Sequence, residues 1–363
     1  MRILAVAAGE IFGGVERHLI GTAQIRGADV SFALFHDAGL ATSLRDEGCE
    51  PHILPLSHAY DPRAPQRLAE IIRDIAPDVI HVHGYRAMVT VDLIRPRLSI
   101  PIIKTEHGLP EPPSGARFEQ FKTRLNTWLD NRATRSASAV CYVTDDIRRR
   151  FKIAHAGVAQ HTVHNGIAPM EPQAFHRPDD IPAAGPVFAL VGRLSSVKGL
   201  DIALAALAHP AMPASATFLV IGTGPLEDSL IRESRQAGLE DRMRFLGFKT
   251  NVYDYLAHVD GLLMPSLHEG LPYTLLEAMS FGKPTLGSRV GGIEEVLSDG
   301  ENGILYDVGD VGAVASACAR IAEDPGLARR LGENAARMQR ERYTLETMKN
   351  AYDKIYAEVS AHS

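Results

Sequence analysis

The sequence predicts an α/β protein made of two Rossmann-like, doubly wound parallel-sheet domains that face each other across a cleft. Short apolar runs alternate with stretches of helical period from one end of the chain to the other, as they do in βαβ units. A proline-rich segment without periodicity, 168–186, interrupts this alternation near the middle. The length of 363 residues suits two domains rather than one.

Seven strands and three helices are predicted in the first half of the chain. The strands are 3–8, 30–35, 52–56, 79–83, 101–106, 139–144 and 161–165. The helices are 15–25, 66–75 and 117–135. Strands that alternate with helices indicate parallel pairing, so this half forms the first domain, 1–170.

The same rhythm starts again after the proline-rich linker. The predicted strands are 187–192, 217–222, 243–248, 261–266, 284–288 and 303–307. They form the second domain, 171–343. The tail is helical, and its last segment, 344–363, carries apolar residues at helical spacing that must pack against another surface.

The composition is that of a globular protein, with 45% hydrophobic and 23% charged residues. Cys49, Cys141 and Cys318 lie far apart in apolar runs, which predicts buried free thiols in a reducing compartment. The N-terminal apolar run is too short for a signal peptide, and no run reaches the ~18 residues of a membrane span. We therefore expect a cytoplasmic protein, and contact with the inner face of the plasma membrane stays open.

Charge is distributed unevenly between the halves. Residues 1–170 hold 20 Lys and Arg against 18 Asp and Glu, whereas the remainder holds 18 against 26. The net charge of −6 argues against a nucleic-acid partner. The less acidic first half is weak evidence for an anionic partner there.

The strongest motif is SLHEGLPYTLLEAM, at 266–279, directly after a strand. Glu269 falls on the loop and can accept hydrogen bonds from sugar hydroxyls, while Glu277 falls on the following helix and can accept them from a ribose diol. The backbone N–H groups of Thr274 and Leu275 at the helix start can hold a phosphate, helped by the helix dipole. A single glutamate would more simply be a solvated charge, but the whole run favours a ligand site.

A second motif, GRLSSVKG at 192–199, also follows a strand. Arg193 offers a planar fork to a phosphate, and Lys198 offers a compact charge. Two cations on one loop would neutralise a departing diphosphate without a metal ion. On its own the motif would equally suit two charges that decorate a turn.

Weaker elements follow other strands. Gly13 and Gly14 permit close backbone approach to a ligand, although they do not form the GxGxxG fingerprint of dinucleotide sites. His107 is a candidate hydrogen-bond donor or proton carrier, and the simpler alternative for it is a structural role. In the second domain, Gly222 and Gly224 would let a base or ribose lie against the backbone, and the peptide at Phe248–Lys249 would meet the base edge.

Together these residues resemble the retaining glycosyltransferases of GT-B fold, family 4 (glycosyl transferases group 1), over roughly residues 13–303. The matching positions are Glu269 and Glu277 for the E-x7-E element, Arg193 and Lys198 for GRL-xx-xKG, Gly13, Gly14, Glu16 and Arg17 for GG-x-ER, His107 and Gly108 for the HG loop, and Asn165, Gly166 and Ile167 for the NG hinge. The second-domain pair is specific, and the N-terminal matches are looser.

The resemblance implies a role for each matching residue. Glu269 contacts the donor sugar, Glu277 the donor ribose, and Arg193 with Lys198 the diphosphate, while His107 faces the reacting sugar. Further contacts are implied for the donor at Gly14, Gly270 and Leu271 and for the acceptor at Gly13, Glu16 and Arg17. The first domain then binds the acceptor and the second the nucleotide-sugar, and the final helix packs back on the first domain.

The resemblance also implies a metal-independent reaction with no cofactor, in which the anomeric configuration is retained. A two-step retaining route needs a carboxylate nucleophile under the anomeric carbon, and no residue of the sequence is an evident candidate. A front-face substitution needs only strong stabilisation of the leaving group, which Arg193, Lys198 and the helix start at Thr274 supply.

The segment 117–135 is a basic amphipathic helix that holds the single tryptophan, Trp128. It is suited to an anionic membrane or a lipid-linked acceptor. The alternative is that its apolar face packs on the sheet, as helices of α/β domains do.

The function that the sequence favours is transfer of a sugar from a nucleoside diphosphate, with a UDP-sugar favoured, to a glycan or lipid-linked acceptor in bacterial polysaccharide or lipopolysaccharide synthesis. Three alternatives stay open: a sugar-nucleotide 2-epimerase of the same fold, a non-catalytic nucleotide-sugar-binding protein, and a nicotinamide dehydrogenase. The missing GxGxxG fingerprint argues against the last.

Overall fold

The computed structural model describes residues 1–9, 13–23, 28–54, 61–109 and 117–361. The chain divides into an N-terminal unit, Met1–Gly166 with Leu345–Ser363, and a C-terminal unit, Ile167–Thr344. The first boundary lies slightly before the predicted position at 170, because Ile167 already pairs with Thr344 in the C-terminal unit.

A seven-stranded parallel sheet in the order β3-β2-β1-β4-β5-β6-β7 forms the N-terminal unit. Its strands are β1 (Arg2–Ala7), β2 (Asp29–Leu34), β3 (His52–Ile53), β4 (Val79–His83), β5 (Ile102–Glu106), β6 (Ala139–Tyr142) and β7 (Ala159–Thr162). The helices between them are α1 (Gly14–Ala23), α2 (Gly39–Asp46), α3 (Ala64–Ile75), α4 (Tyr85–Ile94), α5 (Arg117–Thr134) and α6 (Asp145–Phe151).

The C-terminal unit is a six-stranded parallel sheet in the order β10-β9-β8-β11-β12-β13. Its strands are β8 (Val187–Val191), β9 (Thr217–Ile221), β10 (Met243–Gly247), β11 (Gly261–Met264), β12 (Thr285–Ser288) and β13 (Ile304–Tyr306). Its helices are α7 (Leu200–Leu207), α8 (Glu227–Gln236), α9 (Val252–His258), α10 (Tyr273–Ser280), α11 (Gly291–Val296), α12 (Val311–Glu323) and α13 (Pro325–Arg342).

The predicted strands are present in both units, with shifts at their ends. The strand predicted at 161–165 lies at Ala159–Thr162, and β3 is limited to His52–Ile53. The predicted residues 24–25 and 55–56 lie outside the described residues. Because helices cover both faces of each sheet, central strands such as β4 and β9 are buried at every position, which explains their continuous apolar runs.

Each sheet reverses its strand order beside its first strand, between β1 and β4 and between β8 and β11. Ligands of open α/β sheets bind in the crevice at the carboxyl ends of such strands. The loops that follow β1, β4, β8 and β11 are therefore the ones to examine for a site.

The last helix, α14 (Leu345–Ala361), belongs to the N-terminal unit. Its apolar stripe is buried against sheet residues that include Ile3, Val79 and Ile103. The stripe consists of Met348, Tyr352, Ile355, Tyr356 and Val359. The helix thereby closes one face of the sheet that the first strands build.

Helix α5 presents its apolar residues outward, so the interpretation that they pack on the sheet is wrong. Phe118, Phe121, Leu125 and Trp128 are 72%, 63%, 41% and 60% exposed. The helix is anchored by its polar side instead, since Asp130 accepts a hydrogen bond from the buried Lys104 at 2.7 Å. No helix within the described ranges is long and apolar enough to cross a bilayer.

Candidate functional site

A pocket opens at the carboxyl ends of β8 and β11, in the C-terminal unit. Its walls are the loops that carry the two strongest sequence motifs. The lining residues are Leu190, Val191, Gly192, Arg193, Leu194, Lys198, Leu200, Leu263, Met264, Pro265, Ser266 and Glu269. The two motifs, which lie far apart in the chain, therefore meet at one place.

Lys198 and Glu269 form an ion pair in this pocket. Lys198 Nζ donates to Glu269 Oε1 at 2.6 Å, and Ser266 Oγ donates to the same oxygen at 2.8 Å. Glu269 is 8% exposed and Lys198 25%. Lys198, predicted to bind the phosphates, and Glu269, predicted to bind the donor sugar, are thus hydrogen-bonded to each other. This bond fixes the orientation of both side chains.

Arg193 is exposed at the rim of the pocket and makes no ion pair with any described residue. Arg193 and Lys198 contribute two positive charges to the pocket and Glu269 contributes one negative charge, so its net charge is positive. Phosphate oxygens are suitable partners for a guanidinium that has no carboxylate of its own.

Gly199 ends the turn that carries Lys198. It has φ +60°, and a Cβ there would lie 2.0 Å from the carbonyl oxygen of Pro265. Any side chain would therefore push the lysine loop away from the end of β11. This is a packing requirement that separates the motif from a merely charged turn.

The sequence reasoning missed the support beneath Glu269. Gly292 donates its amide to the carbonyl of Gly270 at 2.9 Å, and a Cβ on Gly291 would lie 2.1 Å from the carbonyl oxygen of Glu269. The adjacent glycines after β12 were the available signal, since two glycines at a helix start permit close backbone approach.

The start of α10, where a phosphate was predicted to bind, differs from the prediction in one respect. Pro272 is the residue before the helix, and no side chain caps its first amides. The amide of Leu275 is already bonded to the carbonyl of Pro272 at 3.2 Å. The Leu275 amide is therefore a poorer phosphate donor than predicted, and Thr274 is the better candidate.

Glu277 is completely buried on α10 and accepts a hydrogen bond from Tyr253 Oη at 3.1 Å. The Tyr253 ring packs against Phe175 and Phe281, with centroids 5.9 Å from each. Tyr253 is a second residue that sequence reasoning missed, because nothing in the chain near α9 indicates which carboxylate it would meet. The Tyr253 hydroxyl holds the side chain of Glu277, the residue predicted to bind the ribose, in place.

Like Thr274, Leu275 and Glu277, the other predicted donor residues lie outside the lining of the pocket. A Cβ on Gly222 would lie 2.0 Å from the Gly192 carbonyl oxygen, and one on Gly224 would lie 2.4 Å from that of Leu194. These two glycines let the loops after β8 and β9 pack together. Phe248 is 66% exposed, and Lys249 is 3.6 Å from Asp180 and stacked over Tyr255.

In the N-terminal unit, the loop after β1 is built around its own glutamate. Glu16 is buried, and its Oε2 lies 3.5 Å from the position that a Cβ on Gly13 would take. Burial raises the pKa of Glu16, while hydrogen bonds from its own amide and that of Gly13 oppose this rise. Gly14 is exposed at the first turn of α1, and Arg17 is half-buried. Glu16 thus supports the loop and leaves Gly14 at its surface.

His107, at the end of β5, belongs to a cluster of histidines. Its Nε2 lies 3.0 Å from Nδ1 of His83, and the two rings are stacked. The His18 ring meets the edge of His107 with centroids 4.8 Å apart. His18 and His83 are buried, and His107 is only partly exposed.

A hydrogen-bonded chain connects this cluster to α14. Tyr356 Oη lies 2.7 Å from His81 Nδ1, His81 Nε2 lies 2.7 Å from Thr105 Oγ1, and Thr105 Oγ1 lies 2.9 Å from Tyr352 Oη. Tyr352 Oη is 3.0 Å from His18 Nε2, and His18 Nδ1 is 2.9 Å from Asn165 Oδ1. Five separate segments of the chain contribute to it.

The direction of each bond follows from the acceptor at the end. Since Asn165 presents an oxygen, His18 must donate from Nδ1 and accept from Tyr352 at Nε2. Tyr352 then accepts from Thr105, and Thr105 accepts from His81 Nε2. One set of proton positions therefore satisfies the whole chain.

The histidines of this cluster are neutral at physiological pH. Burial lowers the pKa of His18 to about 4 and, with a smaller effect from His18, that of His81 to about 3. Burial and then neighbouring imidazoles hold the pKa of His83 and His107 well below the usual range. His107 is therefore a neutral hydrogen-bonding group rather than a cation.

Comparisons with known proteins identify the family of the chain. Residues 171–338 match the family Glycosyl transferases group 1, and residues 14–166 match the Glycosyl transferase 4-like domain. A 2-deoxystreptamine N-acetyl-D-glucosaminyltransferase of Streptomyces fradiae is 30% identical over 78% of this chain and 72% of that protein. The protein belongs to the glycosyl transferases group 1.

One further match covers about half of the chain, and another concerns its fold. The lipopolysaccharide core biosynthesis glycosyltransferase LpsE of Rhizobium meliloti is 32% identical over 49% of this chain and 52% of its own. A crystal structure of Anabaena HepE in complex with UDP superposes with a TM-score of 0.84, at 23% identity over 99% of this chain and 100% of that one. This glycosyltransferase therefore has the two parallel-sheet α/β domains of GT-B enzymes.

Proposed function

We propose that the protein is a retaining, metal-independent glycosyltransferase that moves a sugar from a nucleoside-diphosphate donor, with a UDP-sugar favoured, to a glycan or lipid-linked acceptor of bacterial polysaccharide or lipopolysaccharide synthesis. The observation that carries the proposal is the Lys198–Glu269 pair beside the exposed Arg193 in one pocket. The favoured donor is supported by the UDP that HepE holds, and the pathway by the likeness to LpsE.

The pocket supplies what a departing diphosphate requires. A phosphate between Arg193 and the start of α10 would meet a guanidinium, the Lys198 ammonium and the positive end of a helix dipole. Fixed charges and dipoles that need no reorganisation during the reaction are an effective way to stabilise a developing negative charge. A bound cation is not needed for this step.

Glu269 is suited to hold the donor sugar rather than to attack it. Its Oε1 already accepts hydrogen bonds from Lys198 and Ser266, which stabilise the carboxylate and lower its tendency to form a covalent bond. This arrangement favours a front-face substitution, in which the leaving phosphate takes the proton of the acceptor hydroxyl. We assign to the neutral His107 a hydrogen bond to the reacting sugar and to Gly14 a backbone contact with the phosphates.

The exposed face of α5 supports a lipid-linked acceptor at an anionic membrane surface. Phe118, Phe121 and Trp128 project from the protein, and the exposed cations Arg117 and Arg124 lie on the same helix. Apolar side chains flanked by cations are typical of helices that lie in the headgroup region of anionic bilayers. We propose this contact for the segment 117–135.

Vesicle binding tests the membrane contact. Trp128 is the single tryptophan, so its emission should shift to the blue with vesicles of anionic lipid and stay unchanged with zwitterionic ones. Phe118→Ser with Phe121→Ser should lower partitioning by about tenfold or more, since each buried phenylalanine contributes ~1.5–3 kcal/mol. Val308→Ser, at an exposed apolar residue of the C-terminal unit, is the control. Equal partitioning of both variants would refute the contact.

Nucleotide binding and product analysis test the donor and the reaction. UDP should raise the thermal unfolding midpoint more than GDP, ADP or dTDP, and EDTA should not reduce transfer. An epimerase would convert the nucleotide-sugar without an acceptor, and a sensor would bind it unchanged. Phosphates found far from Arg193, Lys198 and Thr274 in a nucleotide-soaked crystal, or a strict Mg²⁺ or Mn²⁺ requirement, would overturn the proposal.

A further inference from the structure

We propose that His18, His83 and His107 form a binding site for a divalent transition-metal ion of the class that prefers imidazole ligands, and that the bound ion inhibits transfer. The site is formed only by residues of the N-terminal unit, whereas the proposed nucleotide pocket is formed by residues of the C-terminal unit. Only its inhibitory effect rests on the proposed function, because metal binding can be measured without transfer.

Geometry is the first support. One ring nitrogen from each of His18, His83 and His107 can be chosen so that all three lie within 4.8 Å of one another. Ligand nitrogens at ~2.0–2.1 Å from a tetrahedral ion are separated by about 3.3 Å. His83 Nδ1 and His107 Nε2, at 3.0 Å, show that two of these rings already approach as closely as ligands of one ion do. The remaining separations need to contract by at most about 1.5 Å.

An unsatisfied ring nitrogen is the second support. His83 Nε2 is buried without a hydrogen-bond partner within the described ranges. A buried polar atom that lacks a partner is a candidate ligand for an ion.

The surroundings of His18 provide the third support. Ligating histidines usually hold their second ring nitrogen in a hydrogen bond that fixes the ring. In His18 both nitrogens have such a partner, Asn165 at Nδ1 and Tyr352 at Nε2. If Nε2 binds the ion in place of the Tyr352 hydroxyl, Nδ1 stays anchored by its bond to Asn165, and the ion replaces one hydrogen bond.

The effect on transfer follows from the same contacts. His107 is the partly exposed member of the cluster, so an ion would enter the site at this residue. His107 is also the residue to which we assign the hydrogen bond to the reacting sugar. An ion bound to His107 would compete with the hydrogen bond of that ring to the reacting sugar, and it would add two positive charges. Three protein ligands also leave the ion an open position for water.

The experiment is a titration of the full-length, metal-free protein with Co²⁺, followed by the visible absorption of the bound ion, and with Zn²⁺ as competitor. We expect one equivalent to bind, and His83→Gln and His107→Gln each to weaken binding by at least about tenfold. Asn165→Ala should weaken it by about 10–100-fold through loss of the anchoring bond. His52→Gln, at an exposed histidine of β3, should bind as the parent does.

Three outcomes would overturn the proposal. The parent could show no Co²⁺ absorption, His83→Gln and His107→Gln could both bind Co²⁺ as tightly as the parent, or Zn²⁺ could saturate the site without slowing transfer. His107→Gln keeps the test decisive if His83→Gln fails to fold, because His107 is less buried. The thermal shift with UDP separates the two proposals. A shift without Co²⁺ binding refutes only the metal site, and Co²⁺ binding without any nucleotide shift refutes only the donor site.

Discussion

The proposed nucleotide pocket and the histidine cluster are built in opposite ways. In the pocket, Lys198 and Glu269 are 71 positions apart, partly open to solvent, and sit on loops whose own glycines shape them. In the cluster, His18 and Tyr352 are 334 positions apart, buried and hydrogen-bonded to each other. Their bond is part of a chain of hydrogen bonds that draws on five segments. Short motifs thus specify the first site, whereas only assembly of the whole unit creates the second.

The largest expected effect tests the pocket. Lys198→Ala removes the ammonium that would stabilise the leaving diphosphate and strands the Glu269 carboxylate. We expect kcat to fall by at least about 100-fold, the range found when one stabilising donor of a developing anion is lost.

The control for this variant is Arg232→Ala, at an exposed cation on α8 of the same unit. It should transfer sugar at the rate of the parent. Both variants should remain folded, which cooperative thermal unfolding checks, and full activity of a folded Lys198→Ala protein would contradict the assignment of the pocket.

Acid should act on the cluster rather than on the pocket. The unfolded chain binds protons at His18 with a pKa near 6.5, whereas the folded chain binds them only near pH 4. Stability is therefore fully present above about pH 6.5 and is lost as the pH falls toward 4, by about 2 kcal/mol between pH 7 and pH 5 for this residue.

The measurement is the free energy of unfolding of the parent and of His18→Gln at both pH values. The parent should lose more stability on acidification than the variant. Identical losses would mean that the buried imidazole of His18 does not govern the acid response.

Tyr352→Phe tests the chain that links α14 to the cluster. The ring remains, but His18 Nε2 loses its donor and Thr105 its acceptor, so the free energy of unfolding should fall by about 1–3 kcal/mol. Chemical denaturation measures this change, and an unchanged thermal shift with UDP checks that the pocket is intact. A variant as stable as the parent would show that the chain of bonds is not required.

The smallest expected effect concerns Tyr253→Phe. It removes the hydroxyl that bonds Glu277 and keeps the ring between Phe175 and Phe281. Loss of one hydrogen bond to a carboxylate at a binding site should raise the KM for the donor by about five- to tenfold, equivalent to ~1 kcal/mol, with kcat little changed. Tyr255→Phe, which breaks a bond to Asp180 instead, is the matched control. Equal KM values would show that Tyr253 has no part in donor binding.

The sequence was informative where a local pattern and a local function coincide. The strand runs gave both sheets, and the loops after β8 and β11 carried the ligand motifs. It was less informative about partners. The bond between Lys198 and Glu269, the support from Gly291 and Gly292, and the Tyr253–Glu277 contact depend on which loops the sheet order brings together. The sequence also left open whether the apolar face of α5 packs on the sheet or faces outward. The structure decides for the outward face, with the polar side of the helix bonded to Lys104 through Asp130.

The sequence alone therefore determined the parallel sheets and the place of the loops that carry the proposed phosphate ligands, because periodicity and glycine positions act over a few neighbouring residues. The tertiary structure alone decided that His18, His83 and His107 meet, that Tyr352 orients one of them, and that all are neutral. Burial and hydrogen bonding depend on atoms that are remote in the chain, and no residue near a histidine in the sequence records what will surround it.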